Sequence, residues 1–178
     1  MKRNIFLADS TFFILLSKVD EQLIKTFSEL YGVCANREND EHSVYHEVAV
    51  KGIGKPGSRL LTELVNKKQI ETLSTKNDDE ADKIMKYTAK LSKEDARCVQ
   101  ICRENNLILI TDNWHLIRIA ETENVPVVTT FDVIKKLFVE NKIDYKKAVE
   151  SVKTIYRFGW YKFEVLEKVL YDLNNLNQ

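Results

Sequence analysis

"NLILITDNWHLIRIA", residues 106–120, decides how the rest of the chain is read. Leu107, Ile108, Leu109 and Ile110 form an unbroken aliphatic run, and Asp112 arrives as that run ends. Continuous rather than alternating hydrophobicity marks a strand buried on both faces, as in a parallel sheet covered by helices. From Trp114 the spacing turns helical. An acid at such a junction has two readings: a cap for the helix that follows, or one member of a metal-binding acidic site.

Two further short apolar runs repeat the pattern, at residues 5–8 and 125–128, the second with Pro126 at a strand start where its missing donor is tolerated. A weaker strand is expected at 70–73. Helical periodicity predicts helices over 11–18, 20–30, 41–51, 57–68, 79–90, 92–104, 114–122 and 131–140. Strands alternating with helices imply an α/β three-layer sandwich, with a central, mainly parallel sheet of about four to five strands flanked by helices. From Lys142 the chain reads as about two helices broken near Gly159. The expected division is therefore a sheet-centred unit at 1–141 and a C-terminal helical extension at 142–178, packed on the same domain.

The chain's 178 residues suit one compact domain. Lys plus Arg and Asp plus Glu each number 27, so no whole-chain field draws the protein to nucleic acid or membrane. The apolar runs fall well short of the roughly 18 residues a membrane helix needs. The opening "MKRNIFLADS" reaches an acid too early for a signal peptide. Cys34, Cys98 and Cys102 form no disulfide framework and suit a reducing compartment. A soluble, cytoplasmic protein without a membrane partner is the expectation.

In a parallel sheet, chemistry collects where strands end at their carboxyl side. There the first strand delivers Asp9, the strongest one Asp112, and the third Thr129 and Thr130. Asp9 and Asp112, each judged alone, are as easily helix caps as site acids. Asp112 is expected to do both, opening a helix with its backbone and facing a metal with its carboxylate. Asp95 stands three residues after Ser92, a spacing like a capping box. It also falls amid the apolar stripe of Leu91, Cys98, Val99 and Cys102, where an acid costs several kcal/mol unless paired or metal-bound. Carboxylates gathered at strand ends repel by about 3–4 kcal/mol per close pair, and a divalent cation removes that penalty. Oxygen-only ligands favour Mg²⁺ or Mn²⁺, and the chemistry implied is phosphodiester hydrolysis.

Other constellations read more plainly. "GIGKPG" at 52–57 lacks the Gly-Lys-Ser/Thr ending of a phosphate loop and reads as a turn exposing Lys55. His42 and His46 stand four apart on the polar side of their helix and read as an exposed pair. "YRFGWYKF" at 156–163 favours helix packing or a subunit interface over base stacking. Lys55, Arg97 and Arg118 are the expected phosphate contacts.

The order "ADST", "VYHEV", "LSKEDA" and "LILITDN" followed by "VPVV" resembles the PIN-domain ribonucleases over nearly the whole chain. "KGIGKPGSRLL" and "RFGWYKFEVLEKVL" are similar to a toxin-like, VapC-related subgroup. The resemblance implies an Mg²⁺- or Mn²⁺-dependent endoribonuclease with Asp9, Glu47, Asp95 and Asp112 as catalytic metal ligands. Ser10, Thr11, Thr111 and Asn113 would support them. Glu47 enters on this ground, since its pattern alone suggests a solvated boundary glutamate. An antitoxin partner and a homodimer are also implied. Members often carry a second acid directly after the "TD" pair, where this chain has Asn113. The alternative is a catalytically weak or inactive PIN-like module that binds RNA or a partner protein.

Overall fold

A computed structural model describes residues 5–86 and 90–177. The strands are β1 (Ile5–Ala8), β2 (Gly32–Asn36), β3 (Glu71–Leu73), β4 (Ile108–Ile110) and β5 (Val127–Val128). They form one sheet in the order β3-β2-β1-β4-β5, every pair parallel. Phe6, Leu7, Ala8, Leu109 and Ile110 have no exposed surface, as doubly covered strands require. The expected helix-flanked parallel sheet is the observed one.

The helices are α1 (Ser10–Val19), α2 (Glu21–Leu30), α3 (Ser58–Asn66), α4 (Asp78–Met85), α5 (Lys93–Asn105), α6 (Trp114–Thr122), α7 (Thr130–Val139), α8 (Tyr145–Phe158) and α9 (Phe163–Leu176). Helix α5 lies on β1, β2 and β4, with α4 and α6 beside it. Helices α1 and α2 pack on β1 and β2, and α8 packs across α1 and α7. Phe6, Phe12, Phe27 and Tyr31 interlock where α1 and α2 meet the sheet, with ring centroids 4.8–6.1 Å apart.

Three expectations need correction. Strand β2 had no counterpart in the sequence reading, because Val33-Cys34-Ala35 is short, small and opened by Gly32. The helix expected over 41–51 is instead a π-helical turn, His46–Val50. The helix expected over 79–90 ends at Met85, and residues 87–89 of that expectation lie outside the described residues.

The strand order reverses at β1: the chain builds outward through β2 and β3, then crosses back over to β4 and β5. In an open parallel sheet this switch point leaves a crevice beyond the carboxyl ends of the two strands that diverge from it. Here those strands are β1, which ends before Asp9, and β4, which ends before Thr111 and Asp112.

Candidate active site

Asp9 is 3 % exposed and caps α1, accepting from Phe12 N–H at 3.2 Å. Its own N–H donates to Ile110 O at 3.0 Å, tying β1 to β4. The Thr11 hydroxyl donates to Asp9 Oδ1 at 2.6 Å and accepts from Asp112 N–H at 3.1 Å. The buried Thr111 hydroxyl donates to Asp9 Oδ2 and accepts from Asn113 N–H at 3.1 Å. The two threonines therefore lock the loop after β1 to the loop after β4. Burial pushes the Asp9 carboxyl up to about 7, the threonine hydroxyls opposing it and the charges of Asp112 and Asp95 adding to it.

Asp112 faces the start of α7. Its carboxylate accepts from Thr130 N–H at 3.0 Å and from the Thr130 hydroxyl, at the positive end of that helix. Burial still raises its pKa, against the hydrogen bonds that Thr130 supplies. The expected helix-opening role belongs to its neighbour. Asn113 Oδ1 accepts from His115 N–H at 3.1 Å and Leu116 N–H at 3.4 Å, making Asn113 the N-cap of α6. Its other amide atom, Nδ2, donates to Asp95 Oδ2 at 3.3 Å. With its oxygen engaged by the helix, Asn113 presents a donor to the acids rather than a further ligand.

Asp95 is the third residue of α5 and closes a capping box with Ser92, so both sequence readings of it describe the same side chain. Burial lifts its carboxyl to about 6, with Glu47 and Glu94 adding repulsion. Glu47 itself is exposed, carried by the π-helical turn, a device that re-aims side chains at functional sites. Ser10 opens α1 at the rim, half-buried.

The field of each acid reaches its neighbours, and among the described residues none of the four forms an ion pair with Lys or Arg. Raised pKa values, oxygen-only donors and uncompensated charge fit a hard divalent cation. The carboxylates do not converge as placed: among the described residues no group of three or more His, Cys, Asp or Glu stands ready to hold an ion.

The expected phosphate contacts separate. Lys55 is exposed in the turn at 52–57. Arg118 is exposed beside Trp114, its guanidinium 5.9 Å from the indole, and Trp114 lies 3.6 Å from the His115 ring, one residue beyond Asn113. Arg97 is a correction. It is 3 % exposed and grips Asp40 at 2.7 and 2.8 Å and Asp78 at 2.8 and 2.6 Å, so its guanidinium has no face left for phosphate. His42 is also not simply exposed, since its Nδ1 meets Glu94 Oε1 at 3.4 Å.

Three residues at the site escaped the sequence reading. Thr130 was visible only as the end of a strand, and nothing linked it to Asp112. Asn36 is fully buried with both amide atoms unpartnered; it follows Ala35, whose partner Ala8 precedes Asp9, so it stands beside Asp9 across the strand ends. Tyr161 reaches the site from the connection between α8 and α9, and its aromatic neighbours in sequence disguise it as packing.

A family model described as a PIN domain matches residues 5–175. Neither the curated proteins nor the solved structures give a match.

Proposed function

From the premise that the chain belongs to the PIN-domain family, a nuclease-type fold matched over residues 5–175, we propose that it is a metal-dependent endoribonuclease. One observation carries the reading. Asp9, Asp112 and Asp95 lie around the switch point of the sheet, the charges of Asp112 and Asp95 add to the raised pKa of Asp9, and among the described residues none of the three is ion-paired with Lys or Arg.

Asp9, Glu47, Asp95 and Asp112 are the residues that would hold Mg²⁺ or Mn²⁺. Such an ion supplies a Lewis acid for water and for the charge that develops on phosphate. The chain's own part is placement. Thr11 and Thr111 fix both Asp9 oxygens, the start of α7 fixes Asp112, and Ser92 with Asn113 orients Asp95. The reaction is hydrolysis: water oxygen bonds to phosphorus, the P–O bond on the far side breaks, and the leaving oxygen takes a proton. Lys55, Arg118 and the exposed Trp114 would contact RNA.

The finer reading is a VapC-related toxin with an antitoxin partner, acting as a homodimer in the cytoplasm. The buried, free state of all three cysteines agrees with a reducing compartment. Among the described residues no helix is long and apolar enough to cross a membrane. Phe158, Trp160 and Phe163 leave large apolar surface outside the core, the kind a subunit contact uses.

Mn²⁺ titration by calorimetry into wild type and Asp95→Asn, with RNA cleavage followed in the same buffer, tests the proposal. Binding and cleavage should both be saturable in wild type and lost in the variant. A second reading has its own observation, the Asn113 oxygen held by α6 in a place where members often carry an acid. On that reading the protein binds RNA or a partner without turnover, and binding survives the loss of Asp95.

A further inference from the structure

The connection between α8 and α9 brings to the acidic centre a side chain that the four acids leave without a role. The Tyr161 ring lies against Phe131, centroids 4.5 Å apart. Phe131 directly follows Thr130, which holds the Asp112 carboxylate through its N–H and its hydroxyl. The ring also lies against Gly159, where a Cβ would fall 2.0 Å from Tyr161 Cε2. A side chain at 159 would displace the ring from this place, so the glycine leaves the ring its contact with Phe131.

That hydroxyl is sealed from solvent and has no aligned hydrogen-bond partner among the described residues. It nevertheless stands close enough to Asp112 for each group to perturb the other, with Asp9 a weaker influence. Because the hydroxyl is sealed, it cannot reach an RNA base or sugar. A buried O–H beside a carboxylate with lone pairs to spare is resolved by a small rotation that makes one the donor and the other the acceptor. Thr130 holds the carboxylate from the α7 side only, so a second donor from the C-terminal helices would stop it turning.

We propose that Tyr161 is a positioning residue of the acidic centre, its hydroxyl donating to Asp112 so that the α8–α9 connection fixes the acid at the end of β4. This rests on the reading of Asp112 as a working acid of a nuclease.

Tyr161→Phe keeps the ring, its contact with Phe131 and the cover over Gly159, and removes only the donor. In Mn²⁺-dependent RNA cleavage, kcat should fall about 10-fold with KM nearly unchanged, and Mn²⁺ affinity should weaken in parallel. A purely structural hydroxyl would lower the melting temperature without splitting kcat from KM. Wild-type kcat, KM and Mn²⁺ affinity in the variant would overturn the assignment and leave the nuclease reading intact. If wild type neither binds Mn²⁺ nor cleaves, the nuclease reading fails, and melting of Tyr161→Phe, Asp112→Asn and the double variant decides the contact. The drop caused by Tyr161→Phe should then vanish in the Asp112→Asn background. Additive drops overturn it.

Discussion

Asp9 carries a charge where the fold least tolerates one, and its ionisation sets a pH dependence with a definite sign. Its carboxyl titrates at 3.8 when unfolded and at about 7 in the folded chain, with burial the main cause. Between those values the folded state holds a proton that the unfolded state has released, so stability falls as pH rises from about 4 to about 7. The full difference is on the order of 4 kcal/mol. Asp9→Asn keeps the shape and removes the charge, and the Thr111 hydroxyl can turn from donor to acceptor. The variant should melt several degrees above wild type at pH 7.5 in EDTA, the gap closing near pH 4, while Mn²⁺-dependent cleavage is abolished. Mn²⁺ should then raise the melting temperature of wild type and leave the variant unmoved. A variant that melts below wild type at pH 7.5 would contradict the burial argument. Asp9, Asp95 and Asp112 were legible because each ends or opens an element at a point that sequence periodicity marks. Asn113 was legible as a departure but not as the α6 cap, since the choice between adjacent Asp and Asn depends on backbone angles that pattern does not record. Asn36 and Tyr161 were not legible, because their importance lies only in what stands opposite them.

Arg97 shows what one element does for another. Helix α5 must sit with Asp95 at the crevice, yet the loop after β2 and the start of α4 are polar and short of apolar anchors. Arg97 joins all three, forking onto Asp40 and Asp78 and donating to His42 O at 2.7 Å. Its hydrogen bonds hold the Asp40 carboxyl down at about 2 and Asp78 well below its ordinary range. That support is present above 3.8 and lost as pH falls toward 2, opposite in sign to the Asp9 effect. Arg97→Leu should destabilise by about 2 kcal/mol, below the value for a fully buried pair because both aspartates stay partly hydrated. Thermal melting should show a fall of roughly 4–8 °C. The KM for RNA should not change, and a rise in KM without loss of stability would restore Arg97 to the substrate surface. An arginine on a charged helix reads as solvated from sequence, since the acids that bury it lie 19 and 57 residues away. Strand β2 was missed for a related reason: three small apolar residues signal a strand only once β1 and β3 stand on either side.

For the molecule as a whole, the C-terminal helices were legible from their periodicity, while where they dock was not. Ala148, Val152 and Ile155 of α8 and Leu173 of α9 are fully buried. Helix α8 covers both α1, which carries Asp9 at its cap, and α7, whose start holds Asp112. Val152, Ile155 and Leu173 so buried contribute about 1.5–3 kcal/mol each and the Ala148 methyl under about 1 kcal/mol, so together they rival the 5–15 kcal/mol by which an ordinary domain is stable. We propose that residues 142–178 are part of the nuclease unit and not a detachable module. A chain ended after Asn141 would expose the apolar sides of α1 and α7, and it should aggregate or melt without a cooperative transition in calorimetry. Trp160→Ala provides the contrast, because a fully exposed indole supports no core. That variant should melt like wild type, and it should change only the mass measured by light scattering if Trp160 lies in a subunit contact. Were the shortened chain to melt cooperatively and cleave RNA with the wild-type kcat, the extension would be separable and Tyr161 would have no part in holding Asp112. The stability of the fold and the geometry of its acids would then rest on the first 141 residues alone, an arrangement at odds with α8 lying across the two helices that frame the site.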